Sequence, residues 1–119
     1  MKFETEKIDK ALLFTPVVRR LDASVALRFK EAVAAVIQQG ETALILDFSR
    51  VDFIDSSCLG ALISLLKSLS GKGQLVLCAL NANIKAMFAL TRMDRVFTIC
   101  ADRSEAISAA EALSTSAAS

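Results

Sequence analysis

Met1, Phe3 and Thr5 alternate with Lys2, Glu4 and Glu6, the period of two that a half-buried strand requires. Asp9-Lys10 turns the chain into an apolar run over 11–18, which predicts a second short strand. Pro16 interrupts that run. A residue that cannot donate to a ladder predicts an edge or a bulge there. From Asp22 the period becomes helical: Ala26, Phe29, Val33, Val36 and Ile37 share one face. Asp22 or Ser24 suits the cap at its start and Gly40 the position that ends it. The segment 42–48 (TALILDF) is almost wholly apolar, as in a parallel strand covered on both faces.

A connection over 49–55 leads to a second helical pattern over about 57–70, with Leu59, Leu62, Ile63, Leu66 and Leu69 as its apolar stripe. Gly71-Lys72-Gly73 stops it. Residues 74–80 predict another buried strand, and Asn81 or Asn83 caps a helix presenting Ile84, Met87, Phe88 and Leu90. A last short strand is predicted over 96–100. Asp102 and Glu105 have the spacing of a capping box ahead of Ala106, Ile107, Ala110 and Leu113. Strand and helix thus alternate from Asp22 onward. The fold class is α/β, a mostly parallel mixed sheet with an N-terminal antiparallel strand pair, packed with four helices.

The 119 residues fall below the ~150 that suggest a second domain, so one domain is expected over 1–113. The small, polar residues 114–119 are expected to form a disordered tail. In such a sheet the helix N-termini gather at the carboxyl edge of the strands, where ligands and partners bind. The connections 19–22, 49–57, 81–83 and 101–102 lie at that edge, and any function is sought there first.

Fourteen basic against thirteen acidic residues leave a formal charge of +1, which argues against nucleic acid or an anionic membrane as partner. The longest charge-free stretches, 56–66 and 73–84, are shorter than the ~18 residues that span a bilayer. No apolar segment follows the charged N-terminus as a signal would require, so a soluble, cytoplasmic protein without direct membrane insertion is expected. The chain has no His, which removes the commonest general base and the commonest metal ligand. Cys58, Cys78 and Cys100 are odd in number and far apart, which argues against a disulfide framework or a zinc site.

The connection at 49–57 is unusual. Asp55, Ser56 and Ser57 stand together at a helix start, after Val51-Asp52-Phe53-Ile54. One cap accounts for one polar residue, and three in a row exceed that need. The Asp55-Ser56-Ser57-x-Leu59-Gly60 segment after a buried strand, together with the Leu21-Asp22 pair, resembles the STAS domain of anti-sigma factor antagonists. The likeness extends as a pattern over 1–113. It implies a STAS-like domain, no enzymatic activity and no cofactor. It further implies that Ser56 is phosphorylated by a partner that is both anti-sigma factor and GHKL-type serine kinase. Unphosphorylated, such a protein binds the anti-sigma factor and frees the sigma factor; a cognate phosphatase resets it. Such domains are monomeric when free.

By that likeness the partner-binding residues are Asp22, Phe53, Asp55, Ser56, Ser57, Cys58 and Leu59. Phe53, Cys58 and Leu59 are expected to lie partly exposed around Ser56; for Leu59, on the apolar stripe, a core position is an equal alternative. Two positions depart from the family: Cys58 and Arg19 stand where glycine is common. A thiol near a helix start is either an oxidant sensor or an inert small side chain, and the second is expected here. The alternative function is a STAS accessory subunit of an ABC-type lipid transporter. A transporter tail is disfavoured because Met1 directly precedes the first strand. An enzyme using Ser56 is disfavoured because no His is present and Lys67 lies about three helical turns away.

Overall fold

A computed structural model of the protein describes residues 1–118, with side chains described through Leu113. The central strand is β4, Ala43–Asp47, from the middle of the apolar TALILDF run. It is flanked by β2 (Ala11–Pro16) and β6 (Gln74–Cys78), and outside these lie β1 (Phe3–Ile8) and β7 (Thr98–Cys100). Only the β1–β2 pair is antiparallel. A strand with neighbours on both sides and cover on both faces has no use for polar alternation, and Leu44, Ile45 and Leu46 are all fully buried.

Successive residues point to opposite faces. Leu12, Phe14, Leu44, Leu46, Leu75 and Leu77 face one way, into a core shared with α1 (Ala26–Gln38), α2 (Ser56–Leu69) and α3 (Ala82–Leu90). Ala11, Leu13, Ala43, Ile45, Val76, Cys78 and Cys100 face the other way and meet α4 (Arg103–Ala118) through Ala106 and Ala110. Two short strands, β3 (Arg20–Leu21) and β5 (Phe53–Ile54), form a separate parallel pair. Among the described residues no helix is long and apolar enough to cross a membrane.

Several local expectations are corrected. The β1–β2 register is unbroken from Phe3↔Pro16 to Ile8↔Ala11, so β2 is neither an edge nor bulged at Pro16. Val17 N donates to Lys2 O (2.9 Å), which turns the imide nitrogen of Pro16 toward β4, where pairing has already ended at Phe14. β1 is the exposed edge, and Phe3, 42% exposed, stacks on Phe14 with ring centres 4.6 Å apart. β6 stops at Cys78, because Ala79 takes a left-handed conformation (φ 60°) that leads the chain out of the sheet. A 3₁₀ turn at Met93–Arg95 delays β7 to Thr98.

The stripe of α2 is rotated. Cys58, Ala61 and Leu65 join Leu59, Leu62 and Leu69 in the core, leaving Ile63 and Leu66 half-buried. On α3, Leu90 is 86% exposed rather than buried, and Leu113 on α4 is also exposed. α1 begins at Ala26, past both expected caps, and Val25 makes no side-chain cap bond. Of the tail set apart at 114–119, α4 carries the backbone as far as Ala118, and Ser119 lies outside the described residues.

Arg103 ties α4 to the strands through polar contacts. Asp47 is fully buried at the end of β4; one carboxylate oxygen accepts from Arg103 Nε and the other from Ser49 N (2.8 Å). Arg103 also reaches Thr15 Oγ1 at 3.3 Å. A buried carboxylate without such partners costs several kcal/mol, on the order of 3–5.

Gly73 sits where the loop after α2 presses on the start of β4. A Cβ added there would lie 2.0 Å from Thr42 O, and Gln74 N donates to that same oxygen at 2.7 Å. Gly73→Ala is expected to lower stability by about 1–3 kcal/mol, measured by urea denaturation. Gly60→Ala, inside α2 with nothing within 4 Å of its added Cβ, is expected by contrast to raise stability by about 0.5–1 kcal/mol.

Candidate partner-binding site

Three of the four connections at the carboxyl edge are drawn together, two by backbone bonds and the third through a side chain. Asp52 N and Phe53 N both donate to Arg19 O, at 2.7 and 3.1 Å, and Asp55 N donates to Leu21 O at 3.4 Å. Arg20 pairs with Phe53 and Leu21 with Ile54 in the β3–β5 ladder. Asn81 Nδ2 donates to Asp52 O (2.9 Å), while its Oδ1 caps α3 by accepting from Ile84 N (2.9 Å). The fourth connection opens α4 on the other face of the sheet, where Asp102 Oδ1 accepts from Glu105 N as the capping box requires.

Asp55 is the N-cap of α2. Its Oδ1 accepts from Ser57 N (2.9 Å) and Cys58 N (3.2 Å), satisfying two amides that no helical carbonyl reaches. Its Oδ2 accepts from Ala23 N (3.0 Å), on the segment leading into α1. The capping is thus done by the aspartate alone. Ser56 and Ser57 are exposed, and the Ser56 hydroxyl has no hydrogen-bond partner among the described residues. Asp22 is half-buried; its Oδ1 accepts from Ser24 N (3.0 Å) and Ser24 Oγ (2.5 Å). The Ser24 hydroxyl is the largest influence holding the Asp22 carboxyl below its ordinary range; desolvation opposes it, and the Ser24 amide and Arg20 add to the lowering.

Cys58 does not lie partly exposed as expected, and Leu59 takes the core position of its two alternatives. Cys58 is fully buried and Leu59 is 7% exposed, because the Asp55 cap fixes the phase of the helix and turns both inward. Burial, and secondarily the charge of Asp55, push the Cys58 thiol up to about 12. Phe53 does lie partly exposed, at 37%, with the Arg20 guanidinium carbon 4.2 Å above its ring centre. Arg19 Nε lies 3.6 Å from Asp52 Oδ2, both side chains well exposed. The Arg20–Phe53 stack was not foreseen from the sequence. Its signal was only an exposed Arg pair ahead of Leu21, with nothing to show that Phe53 lies alongside.

The site is therefore a polar rim around an exposed helix start, held by hydrogen bonds among its connections. Residues 2–106 of the chain match the family model of the STAS domain. The chain belongs to the STAS domain family. Among curated relatives of this STAS domain is BtrV of Bordetella bronchiseptica, described as an anti-sigma factor antagonist. The two are 28% identical over 110 residues, which cover 92% of this chain and 94% of BtrV. A crystal structure from Thermotoga maritima, also described as an anti-sigma factor antagonist, superimposes with a TM-score of 0.85 at 28% identity, covering 92% of this chain and 94% of that one. The Bacillus cell-fate determinant SpoIIAA, solved in its phosphorylated form, has the same fold. Its TM-score is 0.66 at 20% identity, covering 90% and 97% of the two chains.

Two predictions follow from the depth of Cys58 and Leu59. Leu59→Ala is expected to lower unfolding free energy by about 2–5 kcal/mol, as for a buried leucine in a tight core; unchanged melting would place Leu59 on the surface. With its thiol at about 12, Cys58 holds only a trace of thiolate at pH 8. A thiol-disulfide reagent at that pH is expected to leave Cys58 unmodified in folded protein and to titrate it once denaturant is added.

Proposed function

We propose that this STAS domain is an anti-sigma factor antagonist acting as a phosphorylation-controlled binding switch. Unmodified, the surface around Ser56 binds an anti-sigma factor that is also a GHKL-type serine kinase, which frees the sigma factor. Phosphate placed on Ser56 by that kinase ends the binding, and a cognate phosphatase restores it. The protein works in the cytoplasm as a binding partner rather than a catalyst, monomeric when free. The observation that carries this reading is the exposed Ser56 hydroxyl, unengaged at the first residue of α2 while Asp55 does the capping. The names of the relatives, one of them solved in a phosphorylated form, support it.

The energetics separate fold from interface. A phosphate adds about −1.5 to −2 charge, and a helix start attracts it by only ~0.3–1 kcal/mol. Repulsion from the neighbouring Asp55 offsets part of that, so the fold is nearly indifferent to the modification. An interface closed over Ser56 is not indifferent, because a dianion held against like charge or stripped of water costs several kcal/mol. A loss of about 3 kcal/mol is roughly a hundredfold in affinity.

The test uses the GHKL-type serine kinases of the source organism, each purified, with ATP and then peptide mapping. Phosphate is expected on Ser56; phosphate on Ser57 would overturn the assignment. Ser56→Ala is expected to stay folded and to keep binding the kinase, and Ser56→Asp to stay folded yet bind about tenfold or more weakly. Titration calorimetry with thermal melts measures both. Equal affinity of wild type and both variants would end the switch reading.

A further inference from the structure

We infer that the partner surface covering Ser56 carries carboxylates, and that Arg20, laid flat on Phe53, is the residue that selects it. This rests on the reading of Ser56 as the point of contact with a protein partner. The acidic side chains at the rim are largely spent on the protein itself. Both oxygens of Asp55 accept backbone amides, and Asp22 is held by Ser24 with its second oxygen 3.4 Å from Arg20 Nε. The cationic side chains face outward: Arg19 is 88% exposed and Arg20 63%. Asp52 is the one outward carboxylate in the Arg19 pairing, 67% exposed and 3.6 Å from Arg19 Nε.

The β3–β5 register sets Arg20 directly beside Phe53, and the aromatic face fixes the plane of the guanidinium. Its two terminal nitrogens have no hydrogen bond among the described residues, so their donors point to solvent in a fixed fork. That fork fits a carboxylate, and the exposed edge of Phe53 beside it fits an apolar side chain.

The direction of the switch supports the same sign of charge. A cationic partner surface would be drawn to a phosphate on Ser56, and modification would tighten the complex. A surface of carboxylates is attracted by Arg19 and Arg20 and repels a phosphate a short distance away. One charge pattern then accounts for both capture and release.

Calorimetry against the kinase that binds wild type, with melts as control, tests this. Arg20→Glu is expected to weaken binding about tenfold or more at low salt without altering the melt, and Arg20→Lys to fall between, keeping charge but losing the fork. The affinity ratio of wild type to Ser56→Asp is expected to shrink as salt rises from about 0.05 to about 0.5 M, because screening weakens repulsion between exposed charges. Arg20→Glu binding as well as or better than wild type, while Ser56→Asp still binds about tenfold or more weakly, would overturn the acidic surface and leave the switch standing. A ratio that does not change with salt would overturn it too. If no kinase of the panel binds wild type, it is the switch reading that fails.

Discussion

The carboxylate of Asp55 is the contact on which the site depends. It accepts three backbone amides from two places far apart in sequence, Ser57 and Cys58 on α2 and Ala23 ahead of α1. Bonds from neutral donors to an ionised acceptor are the stronger kind, and a carboxylate with both oxygens so engaged has little freedom left. The start of α2 is thereby fixed in position and phase against the β3–α1 segment. That phase decides what faces outward. With Asp55 capping, Ser56 and Gly60 face solvent, while Cys58, Leu59 and Leu62 enter the core. The Ser56 hydroxyl is free because the residue before it does the structural work.

The β3–β5 pair adds a second constraint. Two residues per strand make a weak sheet alone, and its stability comes from what it is attached to. Leu21 and Ile54 are buried beneath it, and Asn81 joins its outer edge to α3. Three connections therefore behave as one rigid piece, with their side chains presented before any partner arrives. A surface that needs no reordering on binding avoids the entropy that ordering a loop would cost.

The sheet and its helices were legible in the sequence because the central strands are continuous apolar runs and each helix repeats over more than two turns. α2 was placed within a residue of its true start, since Asp-Ser-Ser before an apolar helix admits few other geometries. What was not legible has a common cause. The β3–β5 pair is too short to show any period. Arg20 and Phe53 meet across thirty-three residues of intervening sequence numbering, and Arg103 meets Asp47 across fifty-six. No local pattern encodes such meetings. The buried stripe of α2 was drawn from a run with apolar residues on most sides, where the period alone leaves the phase open by a residue. The cap closed that choice, and with it the depth of Cys58 and Leu59.

The near balance of charge, +1 over the whole chain, conceals how it is arranged. Beyond a Debye length of about 8 Å at physiological salt, such a molecule offers a partner little field to follow. Discrimination falls to groups within contact distance of Ser56, and there the arrangement is uneven: Asp55 and Asp22 accept backbone amides, while Arg19 and Arg20 stay largely exposed although each pairs with an aspartate. A phosphate on Ser56 would take the formal charge of the whole chain from +1 to between about −0.5 and −1, and would place all of that change on this small surface. A contact surface that is local, rigid and close to neutral overall is one that a single phosphate can dominate.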